Sequence, residues 1–393
     1  MSLKNLNSDK LTLLHSLRGF AALFVAICHA KWIFWSGGTQ YIKVYPRETW
    51  NILDYVLFAI DMVFSNGTSM VMVFYVLSGF FIAYSFHKNN WSLGEFYFNR
   101  TLRIYIPYLA SIGLSFGAMY LAKEIFPTFA NNSESKDFNQ YMVESYKYQS
   151  LSVLKRTLFF LRASGIYFGS NFVVWSLLFE MYFYIIVPFI YKGSKTFLIL
   201  SGMIFFITTF DLNEDLFNSF NIVHRFFLKY AFYFGIGLFL YDWMENRPPE
   251  KRFKLQHVLF FSIVFFGLTL LGGVVKEFFN ISLWFGALWG CSVIIIFLDY
   301  DIKSNIVIRF FKFLGKISYS LYLVHIPTYF VLSALLWKYS GNNFFYSRIY
   351  WLPVLVAILV STIFYYLVED VSLKIISNWK KRITEKRINT KLK

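Results

Sequence analysis

The sequence predicts an all-α fold, a bundle of about ten membrane-spanning helices, and three observations predict it. Hydrophobic residues make up 57% of the 393 and charged residues only 15%, too apolar a composition for one water-soluble core. The apolar residues gather in runs of the length that crosses about 30 Å of hydrocarbon. Lysines and arginines sit at the ends of those runs and in the tail after Lys374, which is the pattern of membrane topology; the net charge of +16 therefore implies no nucleic-acid partner.

The expected spans, in order, are 11–34, 69–87, 102–121, 173–191, 196–210, 225–242, 256–272, 281–298, 317–337 and 350–372. The run 51–64 carries Asp54 and Asp61 and reads as an interfacial helix. The connection 122–172 opens polar (NNSESKDFNQ) and ends aromatic (TLFFLRASGIYFGSNF), so its second half is expected to fold back onto the bundle. An even number of spans with basic inner connections (Lys88, Arg100 and Arg103; Lys192 and Lys195; Arg247 to Lys254; Lys303 to Lys316) puts both termini in the cytoplasm and the protein in the cytoplasmic, or inner, membrane. Residues 1–373 read as one transmembrane domain. Residues 374–393, with eight basic residues against the single acid Glu385, read as a basic cytoplasmic tail that holds anionic lipid headgroups.

The first span reads as retained, not as a cleaved leader, because Arg18 interrupts its apolar run. Cys28 and Cys291 both fall in apolar segments and read as small hydrophobes, with no disulfide framework and no metal site.

Within these spans stand polar residues that crossing a membrane does not require. Arg18 and His29 are eleven residues apart, so they share one helix face and lie about 16 Å apart along the axis. Small Ala22 and Val25 lie between them, leaving room for a slender group; taken as a lone pair, Arg18 as a cytoplasmic-side anchor and His29 as a satisfied interior histidine is the favoured reading. In the second span Ser78 and Gly79 mark a close helix approach. Arg100 and Arg103 sit one turn apart beside Pro107, which cannot donate to the carbonyl of Arg103; two guanidiniums at an opened turn suit phosphates, and two inside-positive anchors are the equal alternative. Glu180 lies some seven residues into the fourth span, with Ser176 and Tyr184 a turn to either side as hydrogen-bond partners. Ser318, Tyr322 and His325 form a polar stripe in the ninth span, ahead of Pro327. His15, His87, His224 and His257 receive no role.

Taken in order, these pieces resemble the acyltransferase 3 family of integral-membrane acyltransferases, many of which O-acetylate bacterial surface polysaccharides. The resemblance rests on Arg18 and His29, FYVLSGF (Phe74 to Phe80), R-x-x-R (Arg100, Arg103) with RIYIPY, WSLLFE (Trp175 to Glu180) and SYSLYLVHIP (Ser318 to Pro327). It implies transfer of an acyl group, most often acetyl, from an acyl-CoA co-substrate to a hydroxyl of a cell-surface polysaccharide or lipid-linked glycan, with no permanently bound cofactor. It assigns the essential histidine to His29 and functional weight to the arginine pair. Arg100 and Arg103, with Arg18, are expected to hold the CoA phosphates. The donor arm is expected to run inward along the first helix to His29 as general base, with Glu180 or His325 orienting it or the acceptor. A covalent acyl-histidine relay and a non-enzymatic transporter or flippase of lipid-linked glycan are the alternatives. Acceptor contacts are expected in the loops 35–68 and 122–172.

Overall fold

The computed structural model describes residues 8–89, 91–128, 136–161, 165–211, 225–341 and 348–391, together with Leu3, Leu6 and Tyr346. His224 and part of the polar connection, 129–135, lie outside the described residues.

Among them every regular element is a helix. In chain order these are α1 (Ser8–Phe34), α2 (Gly38–Val44), α3 (Ile52–Val63), α4 (Gly67–Lys88), α5 (Leu93–Ile125), α6 (Lys136–Lys147), α7 (Leu151–Leu158), α8 (Trp175–Ile190), α9 (Ser194–Asp211), α10 (Ala231–Asn246), α11 (Leu255–Leu271), α12 (Phe279–Asp299), α13 (Ile306–Lys316), α14 (Ser318–Ser340), α15 (Trp351–Phe364) and α16 (Asp370–Lys391). Short π turns, Phe226–Tyr230 and Tyr365–Glu369, lead into α10 and α16.

Local chemistry sets several of the helix starts. Asn51 and Asp54 cap α3 reciprocally, as Ser92 and Glu95 cap α5, and the Asn66 side chain accepts from Ser69 N at the head of α4.

Each of the ten expected runs falls on helix, and seven stretches of the described residues are long and apolar enough to cross a membrane. The numbers differ because α8 and α9 join through one 3-10 turn, α11 is only 17 residues long, and the run 225–242, divided between a π turn and the 16-residue α10, is not among the seven. The outward faces require an apolar solvent: Phe260 and Ile263 of α11 are 62% and 72% exposed, and Leu355 and Leu359 of α15 are 64% and 61% exposed. The chain is a multi-pass membrane protein.

At the centre α1 packs on both α4 and α14, with α5, α8, α10, α12, α13 and α15 around them. Two glycine pairs bring backbones into contact. A Cβ on Gly79 would lie 2.2 Å from the Phe234 carbonyl oxygen and one on Gly237 2.0 Å from that of Val76, which fixes α4 against α10. A Cβ on Gly19 would lie 2.3 Å from the Phe311 oxygen and one on Gly315 2.0 Å from that of His15, fixing α1 against α13. These crossings hold Ser78 and Arg18, the neighbours of Gly79 and Gly19, in place.

Helix α3 shows how Asp61 is used. Its apolar face is outward, with Ile52 83% exposed, whereas Asp61 is 1% exposed. Asp61 accepts from Arg348 Nε at 2.8 Å and from the Tyr350 hydroxyl, while Lys31 Nζ donates to its backbone carbonyl and to Ser65 Oγ at 2.9 Å. Charges that look interfacial in sequence therefore tie α3 to the end of α1 and to the segment before α15.

Candidate functional site

Between α1, α4, α5, α8 and α14 lies a cavity of about 300 Å³. Arg18, Arg100, Arg103 and Glu180 all line it, so four residues picked from separate parts of the sequence meet here. The cavity also collects two groups that sequence reasoning passed over. His15 lies one turn before Arg18 and stacks on Phe81, ring centroids 5.2 Å apart. Glu369 closes the π turn before α16. An acid at the end of an apolar run looks like an ordinary boundary charge; the π turn, a feature frequent at functional sites, was not visible in the residue pattern.

The electrostatics are asymmetric. The two carboxylates are held by neutral donors: Glu180 Oε1 accepts from Ser78 Oγ at 2.9 Å and from the Tyr184 hydroxyl, and Glu369 Oε2 accepts from Ser320 N at 3.1 Å and Ser320 Oγ at 2.5 Å. None of the three arginines is in any ion pair found within 4 Å among the described residues. Arg100 is wedged among aromatic rings, its guanidinium carbon 5.4 Å from the centroid of Tyr184 and 5.7 Å from that of Phe96, and its Nε is buried with no hydrogen-bond partner. Three guanidiniums converging on one space without a paired carboxylate suit a multiply charged anion, because each offers planar forked donors to phosphate oxygens.

His29 and His325 sit further along α1 and α14 and meet each other. Tyr329, one turn beyond His325, donates to the carbonyl of Ala26 at 2.9 Å and so sets the register of the two helices. His29 Nδ1 then lies 2.9 Å from His325 Nε2, and His325 Nδ1 lies 2.8 Å from the Leu321 carbonyl. A carbonyl only accepts, so His325 carries its hydrogen on Nδ1. Neutral His325 therefore accepts at Nε2, and His29 donates from Nδ1. This chain leaves His29 with an unprotonated Nε2. His325 is 1% exposed, whereas His29 is only partly buried.

Pro327 contributes to the same site. It has no N–H for the Leu323 carbonyl, and Asn171 Nδ2 donates to that carbonyl instead, at 2.7 Å. The anchored segment places Phe172 edge-on to His29 with centroids 5.2 Å apart.

Two expected details differ. Ser176 bonds the Tyr322 hydroxyl at 2.6 Å and not Glu180, whose second hydroxyl partner is Ser78 from α4. Nor is there an open groove along Ala22 and Val25: they are 2% and 1% exposed and do not line the cavity, their small size having been used to let neighbouring helices approach. The cavity ends at Tyr322, whose ring is 6.2 Å from that of His325 and whose hydroxyl also donates to the Val173 carbonyl at 2.5 Å. Glu180 makes no hydrogen bond to His29; His325 does.

Among the described residues no group of three or more His, Cys, Asp or Glu side chains is placed to hold a metal ion. No curated protein and no solved structure matches this chain. The acyltransferase domain family does, over residues 13–369, from the start of α1 to the π turn that carries Glu369, and the chain belongs to that family, acyltransferase 3.

Proposed function

We propose that this membrane acyltransferase moves an acetyl group from acetyl-CoA to a hydroxyl of a cell-surface polysaccharide or lipid-linked glycan, with both termini and the donor on the cytoplasmic side. The observation that carries the chemistry is the hydrogen-bond chain from Leu321 through His325 to His29, which presents a basic Nε2.

The arginine cavity takes the phosphate-bearing end of the donor. No ion pair within 4 Å joins its three guanidiniums to Glu180 or Glu369, so binding has no such pair to break. The thioester is carried past Tyr322 to the histidine pair. As the acceptor oxygen bonds to the thioester carbon, its proton passes to His29 Nε2. The carbon–sulfur bond breaks, and the imidazolium returns the proton to the leaving thiolate, giving the ester and free CoA thiol. His325 is a positioning residue: its Nε2 accepts from His29 Nδ1 throughout, holding the tautomer and stabilising the imidazolium.

The test is incubation of membranes holding the full chain with acetyl-CoA labelled in the acetyl group. Label appearing on extracted glycan supports the reading. Consumption of donor by hydrolysis alone, or movement of unlabelled glycan across the membrane with no label transferred, overturns it.

A further inference from the structure

A second and larger pocket, about 640 Å³, opens where α8, α9 and α10 end or begin on one side of the bundle. His87 of α4 lines it, while Tyr84 and Ser85 of the same helix line the arginine cavity, and the two spaces share no lining residue. Nothing in the acyl-transfer scheme uses it.

Its lining brings four cations together, Lys192, Lys195, Arg247 and Lys251, against one carboxylate, Asp242. Asp242 is engaged already: it accepts from the Ser194 hydroxyl, and its other oxygen is 3.8 Å from His87 Nε2. Arg247 is built in. Its Nη2 is 2.7 Å from both oxygens of Asp299, its guanidinium carbon is 4.7 Å from the Trp243 centroid, and its side chain is only 6% exposed. Its Nη1 is buried with no hydrogen-bond partner. A rigidly held guanidinium with a spare donor, ringed by flexible lysines, matches a phosphate oxygen. The same elements carry bare apolar side chains alongside, Phe189 at 73% and Leu200 at 52% exposure, so the pocket borders the surface that meets lipid tails.

We infer that this pocket is a phosphate-binding site separate from the arginine cavity, in which Arg247, Lys192, Lys195 and Lys251 hold either the headgroup phosphate of an anionic lipid or free phosphate. Anionic membranes supply the first and the cytoplasm the second.

The experiment compares the full chain with the triple variant Lys192→Gln, Lys195→Gln, Lys251→Gln, whose substituted side chains are exposed and do not carry the fold. One arm counts phosphatidylglycerol retained by native mass spectrometry after release from nanodiscs, with phosphatidylcholine nanodiscs as the control. The other arm measures inorganic phosphate binding to delipidated protein in detergent. The expected result is phosphatidylglycerol retention, phosphate binding, or both, weakened more than about tenfold by the triple substitution. A difference confined to the first arm assigns the lipid, and one confined to the second assigns free phosphate. Equal binding by wild type and variant in both arms overturns the site. Arg247→Lys keeps a cation beside Asp299 and removes the spare donor; if it folds and binds both probes as wild type does, Arg247 is not the anchor and the assignment fails.

Discussion

Replacing His325 with phenylalanine keeps a ring between α1 and α14 but removes the acceptor for His29 Nδ1, 2.9 Å away. In the proposed reaction His29 is charged when the acceptor proton has moved, so the lost bond is one to a charged donor, worth about 1.5–3 kcal/mol. At about 1.4 kcal/mol per factor of ten, kcat should fall about 10- to 150-fold. The loss should appear in kcat, with the KM for acetyl-CoA little changed, because the arginine cavity does not include His325. His325→Gln offers an amide oxygen to the same Nδ1 and should recover part of the rate. Initial rates of labelled acetyl transfer measure both, and thermal unfolding in detergent checks that the variants are folded. A folded His325→Phe enzyme within twofold of wild-type kcat, or one impaired only in KM, would refute the tautomer argument.

Converting Arg100 and Arg103 together to Gln should raise the KM for acetyl-CoA by on the order of tenfold or more and leave that for the acceptor nearly unchanged, as donor-dependence curves would reveal. Asp61→Asn removes the partner of Arg348, whose side chain is 20% exposed, and should lower stability by on the order of 3 kcal/mol, read from the thermal midpoint. Gly79→Ala puts a Cβ 2.2 Å from the Phe234 carbonyl oxygen, a backbone atom that cannot step aside. It should destabilise the α4 and α10 pairing by about 1–3 kcal/mol, and Gly113→Ala, where nothing lies within 4 Å of the added carbon, is the control.

Much of the candidate site was legible because charge inside an apolar run is costly and so informative. Arg18, Arg100, Arg103, Glu180, His29 and His325 stand out for that reason alone, and helical periodicity put Arg18 and His29 on one face. Periodicity describes a single helix, however, and the site is made by pairs of them. That Ser78 rather than Ser176 would serve Glu180 depends on how α4 crosses α8, and the Gly79 contact that sets α4 against α10 needs a partner glycine 158 residues later in the sequence, Gly237. The same limit hid Glu369, whose place in the cavity follows from the π turn before α16, and Asp61, whose partners arrive from beyond residue 340. Small Ala22 and Val25 were read as space when they are contact, because a short side chain invites either a ligand or a neighbouring helix.

In the proposed reaction His29 Nε2 takes the acceptor proton during acetyl transfer, and one rate comparison tests this most directly. Membranes carrying equal amounts of inserted wild-type and His29→Ala protein are given labelled acetyl-CoA at saturating concentration, and label on glycan is followed with time. The variant's rate should fall by a factor on the order of 10²–10⁴ with donor binding retained. Transfer by a fully inserted His29→Ala protein at close to the wild-type rate would contradict it.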